Sequence, residues 1–177
     1  MEEGRFRISR AGGTRVLPAS FTLVATANPC PCGAGGADEC RCSPEVLARY
    51  QRKLSGPLRD RLDLVVEVGA VNLTRILKMG RSETSAARVR VEDARGRQAR
   101  RQGQGLLNSS VTGASLGHVC LLEQDAEVEL RGISRRYGLT GRGFHGVLRV
   151  ARSIADIEGN ERITVEDLRE ACAYRLR

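Results

Sequence analysis

Four of the six cysteines fall between Cys30 and Cys42, as the pairs Cys30-x-Cys32 and Cys40-x-Cys42 with seven residues between them. Four thiolates are the inventory of a closed tetrahedral Zn2+ site, and such ligation would fix a Gly-rich loop that has little else to hold it. Pro31 and Gly33 supply the kinks. The one-residue gap within each pair is tighter than the usual two-residue zinc spacing, so reduced thiols without metal and a redox pair stay open beside a structural zinc. Nothing reserves an open coordination position, which argues against catalytic zinc. Just upstream, "TAN" (Thr26–Asn28) closes an apolar run. A ligand beyond the carboxyl end of a sheet strand would meet Asn28 there, although an asparagine before proline can simply turn the chain. In "SGPLRDRLDL", Arg59 and Arg61 precede a second apolar run, where an arginine is either solvated or able to reach a phosphate on a neighbouring subunit. Cys120 and Cys172 sit among apolar residues and read as small core hydrophobes.

The elements that must position these residues follow from periodicity and punctuation. "RFRISR" alternates, with Phe6 and Ile8 on one face and Arg5, Arg7 and Ser9 on the other, and Gly12-Gly13 breaks it from the next extended run, a hairpin signal. Phe21–Ala27 and Leu62–Val68 have the composition of strands buried on both faces. Two such strands make no stable sheet without others beside them. Ser43-Pro44 is an N-cap followed by proline at the first helical position, opening a helix over "PEVLARYQRKL".

From residue 71 the pattern turns helical. The expected helices are a short one over "LTRILKM" and a long polar one over Thr84–Gln102, then Glu123–Tyr137 stopped by Gly138, Thr140–Ile157 stopped by Gly159, and Thr164–Tyr174. The last opens on "TVED", close to a capping box. "GQGLLNSSVTGAS" reads as a loop, and Gly146 is a weak helix former inside its helix. The expected organisation is an α/β part over residues 1–70 and an all-helical part over 71–177.

Composition limits the function classes. The net charge is +8, with ten Lys/Arg against eight Asp/Glu in residues 1–68 and nineteen against thirteen beyond. Polyanions are the natural partners of such a chain, nucleic acid first. With no Trp and only three Tyr and three Phe, base stacking is a poor prospect and contacts to backbone phosphate a better one. Arg90, Arg97 and Arg101 share an arc of ~40° on the long polar helix, either a phosphate-tracking stripe or a solvated face. No run approaches the ~18 apolar residues of a membrane span. The start, "MEEGRFRISR", has no apolar core of a secretory signal, so a reducing, cytoplasmic setting is expected and a membrane partner is not.

Taken together, "FTLVATANPCPCG", "CRCSPEVLARYQRKLSGPLRDRLDLVVEV" and "VLRVARSIADIEGNERITVEDLREACAYR" resemble the bacterial magnesium-chelatase-like AAA+ ATPases, over nearly the whole chain and matching the C-terminal third of that family. The resemblance implies a hexameric ring that uses ATP and Mg2+ to move along DNA, in branch migration during natural transformation. The fold it implies is the distal half of a AAA+ P-loop core followed by a helical lid. It implies that Asn28 is sensor 1, which orients the attacking water. Arg61 matches the arginine finger, offered to the neighbouring subunit's nucleotide. Arg142 matches sensor 2, with Arg149 a second candidate. Arg10 and Arg15, in a hairpin like the one preceding sensor 1 in the wider helicase clade, would face DNA in the pore. No G-x-x-x-x-G-K-[ST] and no acidic strand end ahead of residue 20 occur in these 177 residues, so this chain alone is expected not to hydrolyse ATP. The competing reading is a non-enzymatic, zinc-stabilised module that binds DNA or other subunits.

Overall fold

Two antiparallel strands, β1 (Arg5–Arg10) and β2 (Gly13–Pro18), open the chain in a computed structural model that describes residues 4–34, 40–53, 56–69 and 83–175. Their register pairs Phe6 with Leu17, Ile8 with Arg15 and Arg10 with Gly13. The positive φ the turn needs falls on Gly13, at 119°. Helix α1 (Pro44–Gln51) starts where the Ser43 Oγ accepts from the Val46 N–H at 3.4 Å, with proline in its first turn as expected. The residues cluster into two compact units, Met1–Leu54 and Ser55–Arg177.

The strand expected over Phe21–Ala27 does not form: residues 19–28 carry no strand, and Val24 is 85% exposed. Leu62–Val68 is likewise not a strand, and Val66 and Val68 lie exposed. The β1–β2 hairpin is the sheet found among the described residues. An apolar run suited to burial on both faces stays unpaired when no hydrogen-bonding neighbour lies on either side of it.

The second unit begins with a single turn, α2 (Gly56–Arg59). The polar helix α3 spans Thr84–Gln102, the bounds expected for it. The short helix expected over "LTRILKM" lies outside the described residues. Part of the expected loop is helical: a 3-10 turn at Asn108–Ser110 leads into α4 (Gly113–Val119), started by Thr112 and Ser115 in reciprocal capping. Helix α5 (Gln124–Tyr137) ends on Gly138 at φ 57°, and α6 (Gly141–Glu158) ends on Gly159 at φ 89°, each in the left-handed region that glycine tolerates best. Helix α7 (Val165–Arg175) opens on the predicted capping box, with Asp167 Oδ2 accepting from the Thr164 N–H at 2.9 Å and Thr164 Oγ1 from the Asp167 N–H at 3.2 Å.

Helix α6 is the centre of this unit. Its Val147, Ala151 and Ala155 are wholly buried, in one cluster with Leu116, Cys120, Ala126, Leu130, Ile163 and Leu168. Burying each large aliphatic side chain there contributes ~1.5–3 kcal/mol. Small residues on the same face bring α3 and α7 close. Cys120 is one of the core hydrophobes, as its apolar neighbours predict, and burial pushes its thiol up to about 11.

Helix α3 has no apolar stripe and packs through polar side chains instead. Asp156, fully buried on α6, accepts from Arg101 at 2.7 and 2.9 Å and from Asn108 Nδ2 at 2.8 Å, and it pairs with Arg152 at 3.0 Å. Arg152, also fully buried, donates from Nη2, the nitrogen paired with Asp156, to the Asn160 carbonyl and from Nη1 to the Glu161 carbonyl, which ties the segment after α6 back to the helix.

Candidate functional site

In the N-terminal unit, the four candidate ligands converge. The Sγ atoms of Cys30, Cys32, Cys40 and Cys42 all lie within 4.8 Å of one another. Cys30 Sγ is 3.2 Å from that of Cys32, which is 3.7 Å from that of Cys40. A Zn–S bond of ~2.3 Å in tetrahedral geometry sets the sulfurs ~3.8 Å apart, so a small adjustment would seat a zinc ion. A disulfide needs ~2.05 Å, and all six cysteines are free. At Cys42, a backbone hydrogen bond from Cys32 lowers the thiol pKa, but the crowded thiols of Cys32 and Cys40 and partial desolvation together carry it up to about 11. Four thiols this close resist collective ionisation unless a cation joins them, and a metal supplies that charge.

Asn28 stands exposed before this loop. Gly33 curves back toward it at φ 81°, so that a Cβ on Gly33 would lie 3.8 Å from Asn28 Nδ2. The geometry of the cysteine loop thus sets the wall beside Asn28. On the hairpin, Arg10 and Arg15 fall on one face, because cross-strand partners point the same way and Arg15 opposes Ile8, two residues before Arg10. Both are exposed.

In the second unit the "RDRLD" stretch is held through Asp60, Leu62 and Asp63, and the Arg61 side chain is exposed. Asp60 accepts from Thr140 Oγ1 at 3.4 Å and pairs with Arg142 at 3.5 Å. Thr140 is the N-cap of α6, and its hydroxyl oxygen also accepts from the Gly143 N–H at 3.0 Å. Asp63 pairs with Arg149 at 3.4 Å and with Arg175 at 3.3 Å. Arg175 further donates to the carbonyls of Asp60, at 2.7 Å, and Leu62, at 2.8 Å. The Val65 N–H donates to the Tyr174 carbonyl at 2.8 Å. Arg61, Arg142 and Arg149, expected to meet nucleotide, are therefore gathered on one short stretch and the helix beside it.

Sequence reasoning missed Asp60, Asp63 and Arg175. The alternation of Arg and Asp in "RDRLD" was the available signal for the first two. Gly143 and Gly146, one turn apart inside a helix, signalled a close approach to α6.

The three helix arginines do share one arc, and it faces α6. Arg90 bonds Glu158 at 2.6 Å, Arg97 donates to the Asp156 carbonyl at 2.8 Å, and Arg101 grips the Asp156 carboxylate. Ala94 and Gln98, the buried residues of α3, lie beside that arc. Among the described residues, no helix is long and apolar enough to cross a membrane.

Comparison with known proteins gives the family. The family "Magnesium chelatase, subunit ChlI C-terminal" matches residues 73–175, and "Magnesium chelatase, subunit ChlI" matches residues 1–76. The chain belongs to this magnesium-chelatase-like family. Among its relatives, the uncharacterized protein YifB of Escherichia coli is 36% identical over 178 residues, covering 99% of this chain and 35% of YifB. Competence protein ComM of Haemophilus influenzae is 33% identical over 175 residues, covering 99% of this chain and 34% of ComM. An uncharacterized Mycobacterium tuberculosis protein is 35% identical over 177 residues. The chain thus spans about a third of the length of the relatives it matches.

Proposed function

We propose that this chain is the distal part of a AAA+ ATPase module, with residues 1–70 belonging to the α/β core and 71–177 forming the lid. In an assembled ring it would offer Arg61 to the nucleotide of the next subunit. The observation that carries this reading is the pinning of the Asp60–Asp63 stretch by Arg142, Arg149 and Arg175 while Arg61 itself stays exposed. Catalysis of phosphoryl transfer depends mainly on positive charge held in place around the γ-phosphate, and a charged side chain on an anchored backbone meets that need. Asn28 would orient the attacking water. Arg142 would read the γ-phosphate from the lid, exchanging its long pairing with Asp60 for the ligand. The described residues gather no carboxylate group fit for Mg2+, so no step is assigned to that ion. The cysteine quartet fits Zn2+, and a zinc there would hold the loop beside Asn28. Membership of a family that includes a competence protein supports DNA as the polymer acted on. Arg10 and Arg15 on the hairpin are the residues we assign to its phosphates, because Arg97 and Arg101 of α3 are bonded to Asp156.

The test is a hybrid in which this chain replaces the matching third of the Haemophilus ComM protein. Arg61→Ala is expected to lower kcat for ATP hydrolysis by ~10³-fold or more while leaving ATP binding intact. Mixing Arg61→Ala with Asn28→Ala subunits restores turnover if the two residues serve one site from different subunits. Unchanged turnover in Arg61→Ala refutes the assignment. The isolated chain is expected to show no ATP hydrolysis; if it turns over ATP and Asn28→Ala abolishes that activity, the non-catalytic expectation falls. The second reading, a metal-stabilised DNA-binding module, draws on the convergent cysteines and on Arg10 and Arg15 of the hairpin, and it predicts DNA retention by the chain with no requirement for Arg61.

A further inference from the structure

We infer that Arg175, passing over Gly146, is the positioning residue for Arg61. The inference rests on the reading of Arg61 as the group offered to a phosphate. The two terminal nitrogens of Arg175 donate to the carbonyls of Asp60 and Leu62, the residues on either side of Arg61. One planar guanidinium thus bridges the backbone from the Asp60–Arg61 peptide to the Leu62–Asp63 peptide, with Arg61 between them and a third contact to Asp63 at 3.3 Å. The Arg175 side chain is 5% exposed, so its fork is shielded from competing water. A fork of this shape fixes two acceptors at once, which a lysine ammonium does less rigidly.

The path of that side chain explains a residue that local propensity disfavours. Gly146 lies mid-helix in α6, where glycine costs ~1 kcal/mol against alanine. A Cβ there would sit 2.6 Å from Arg175 Nη1 and 2.8 Å from Nε, and closer still to Cζ. Alanine at 146 would push the guanidinium off its carbonyls. The missing methyl is therefore the channel by which the end of α7 reaches across α6 to the Arg61 backbone.

Hydrogen exchange on the 177-residue chain tests the clamp directly, through the hydrogen-bonded amides of Arg61, Leu62 and Val65. Gly146→Ala is expected to raise their exchange rates tenfold or more, while amides within Val147–Ala155 keep or gain protection because alanine favours helix. Arg175→Ala is expected to act in the same direction, and Arg175→Lys to recover part of the protection. If Gly146→Ala protects α6 and leaves Arg61, Leu62 and Val65 unchanged, the clamp is refuted; this arm stands even should Arg175→Ala unfold the unit. In the hybrid ATPase, Gly146→Ala and Arg175→Ala lower kcat by ten- to a hundredfold with KM for ATP unchanged, and Arg175→Lys recovers part of that loss. Turnover that survives loss of the clamp while Arg61→Ala abolishes it overturns the positioning role alone. Turnover indifferent to Arg61→Ala overturns both.

Discussion

Replacing Asp156 by alanine separates what the arginines of α3 do from what their spacing suggests. Asp156 is wholly buried and takes bonds from Arg101 and Asn108 and an ion pair from Arg152, itself wholly buried. Asp156→Ala leaves the Arg152 charge without its carboxylate, and removing one partner of a buried pair costs ~3–5 kcal/mol. For a unit of roughly 120 residues, at about 3–5 °C per kcal/mol, the melting temperature should fall by ~9–25 °C. Arg101→Ala should cost less, ~1–3 kcal/mol, because Arg152 still neutralises Asp156. Arg90 makes an equally short bond to Glu158, but with side chains 59% and 54% exposed, and Arg90→Ala should cost under ~0.5 kcal/mol. Thermal unfolding followed at a helical CD wavelength measures all three. DNA retention well below each melting temperature should be the same for Arg101→Ala as for the unaltered chain. The reasoning fails if Asp156→Ala costs no more than Arg90→Ala, or if Arg101→Ala weakens DNA retention in the folded protein.

Elemental analysis should find one zinc per chain, lost with Cys30→Ser or Cys42→Ser; affinity should tighten as pH rises, since the thiols must shed protons to ligate. Arg10→Ala with Arg15→Ala should weaken retention of duplex DNA and flatten its log–log salt dependence by ~0.9 for each phosphate no longer neutralised, and an unchanged slope counts against the hairpin. Cys120 titrates at about 11 when folded against 9.0 in the free side chain. Between those values only the unfolded thiol ionises, so stability is intact below pH 9 and falls by up to ~1.4 kcal/mol per pH unit as pH rises toward 11. Urea titrations across that window should lose this component of the slope in Cys120→Val. Thr164→Ala removes the N-terminal cap of α7 and should cost ~1 kcal/mol in the same titration at neutral pH.

Much of the helical structure was legible in the residues because its signals are local. Gly138 and Gly159 stop helices where a left-handed residue is needed, Ser43-Pro44 and Thr164–Asp167 start them, and α3 runs over Thr84–Gln102 as its polarity suggests. The cysteine spacing likewise limited the chemistry to metal, thiol or redox, and the sulfur positions are compatible with a metal. Phe21–Ala27 and Leu62–Val68 had the composition of buried strands, yet strand formation requires a hydrogen-bonding neighbour that composition cannot supply.

What the sequence determined by itself was therefore the local part: helix ends, the hairpin, the family resemblance and the identity of Asn28 and Arg61 as residues of interest. Only tertiary structure decided which way a polar face turns. An arc of arginines at 90, 97 and 101 is the same arc whether it meets phosphate or the carboxylate of Asp156, because periodicity records direction around the helix axis and not what stands opposite. For the same reason Gly146 read as a weak helix former until Arg175, 29 positions later in the chain, was seen to occupy the space of its missing side chain.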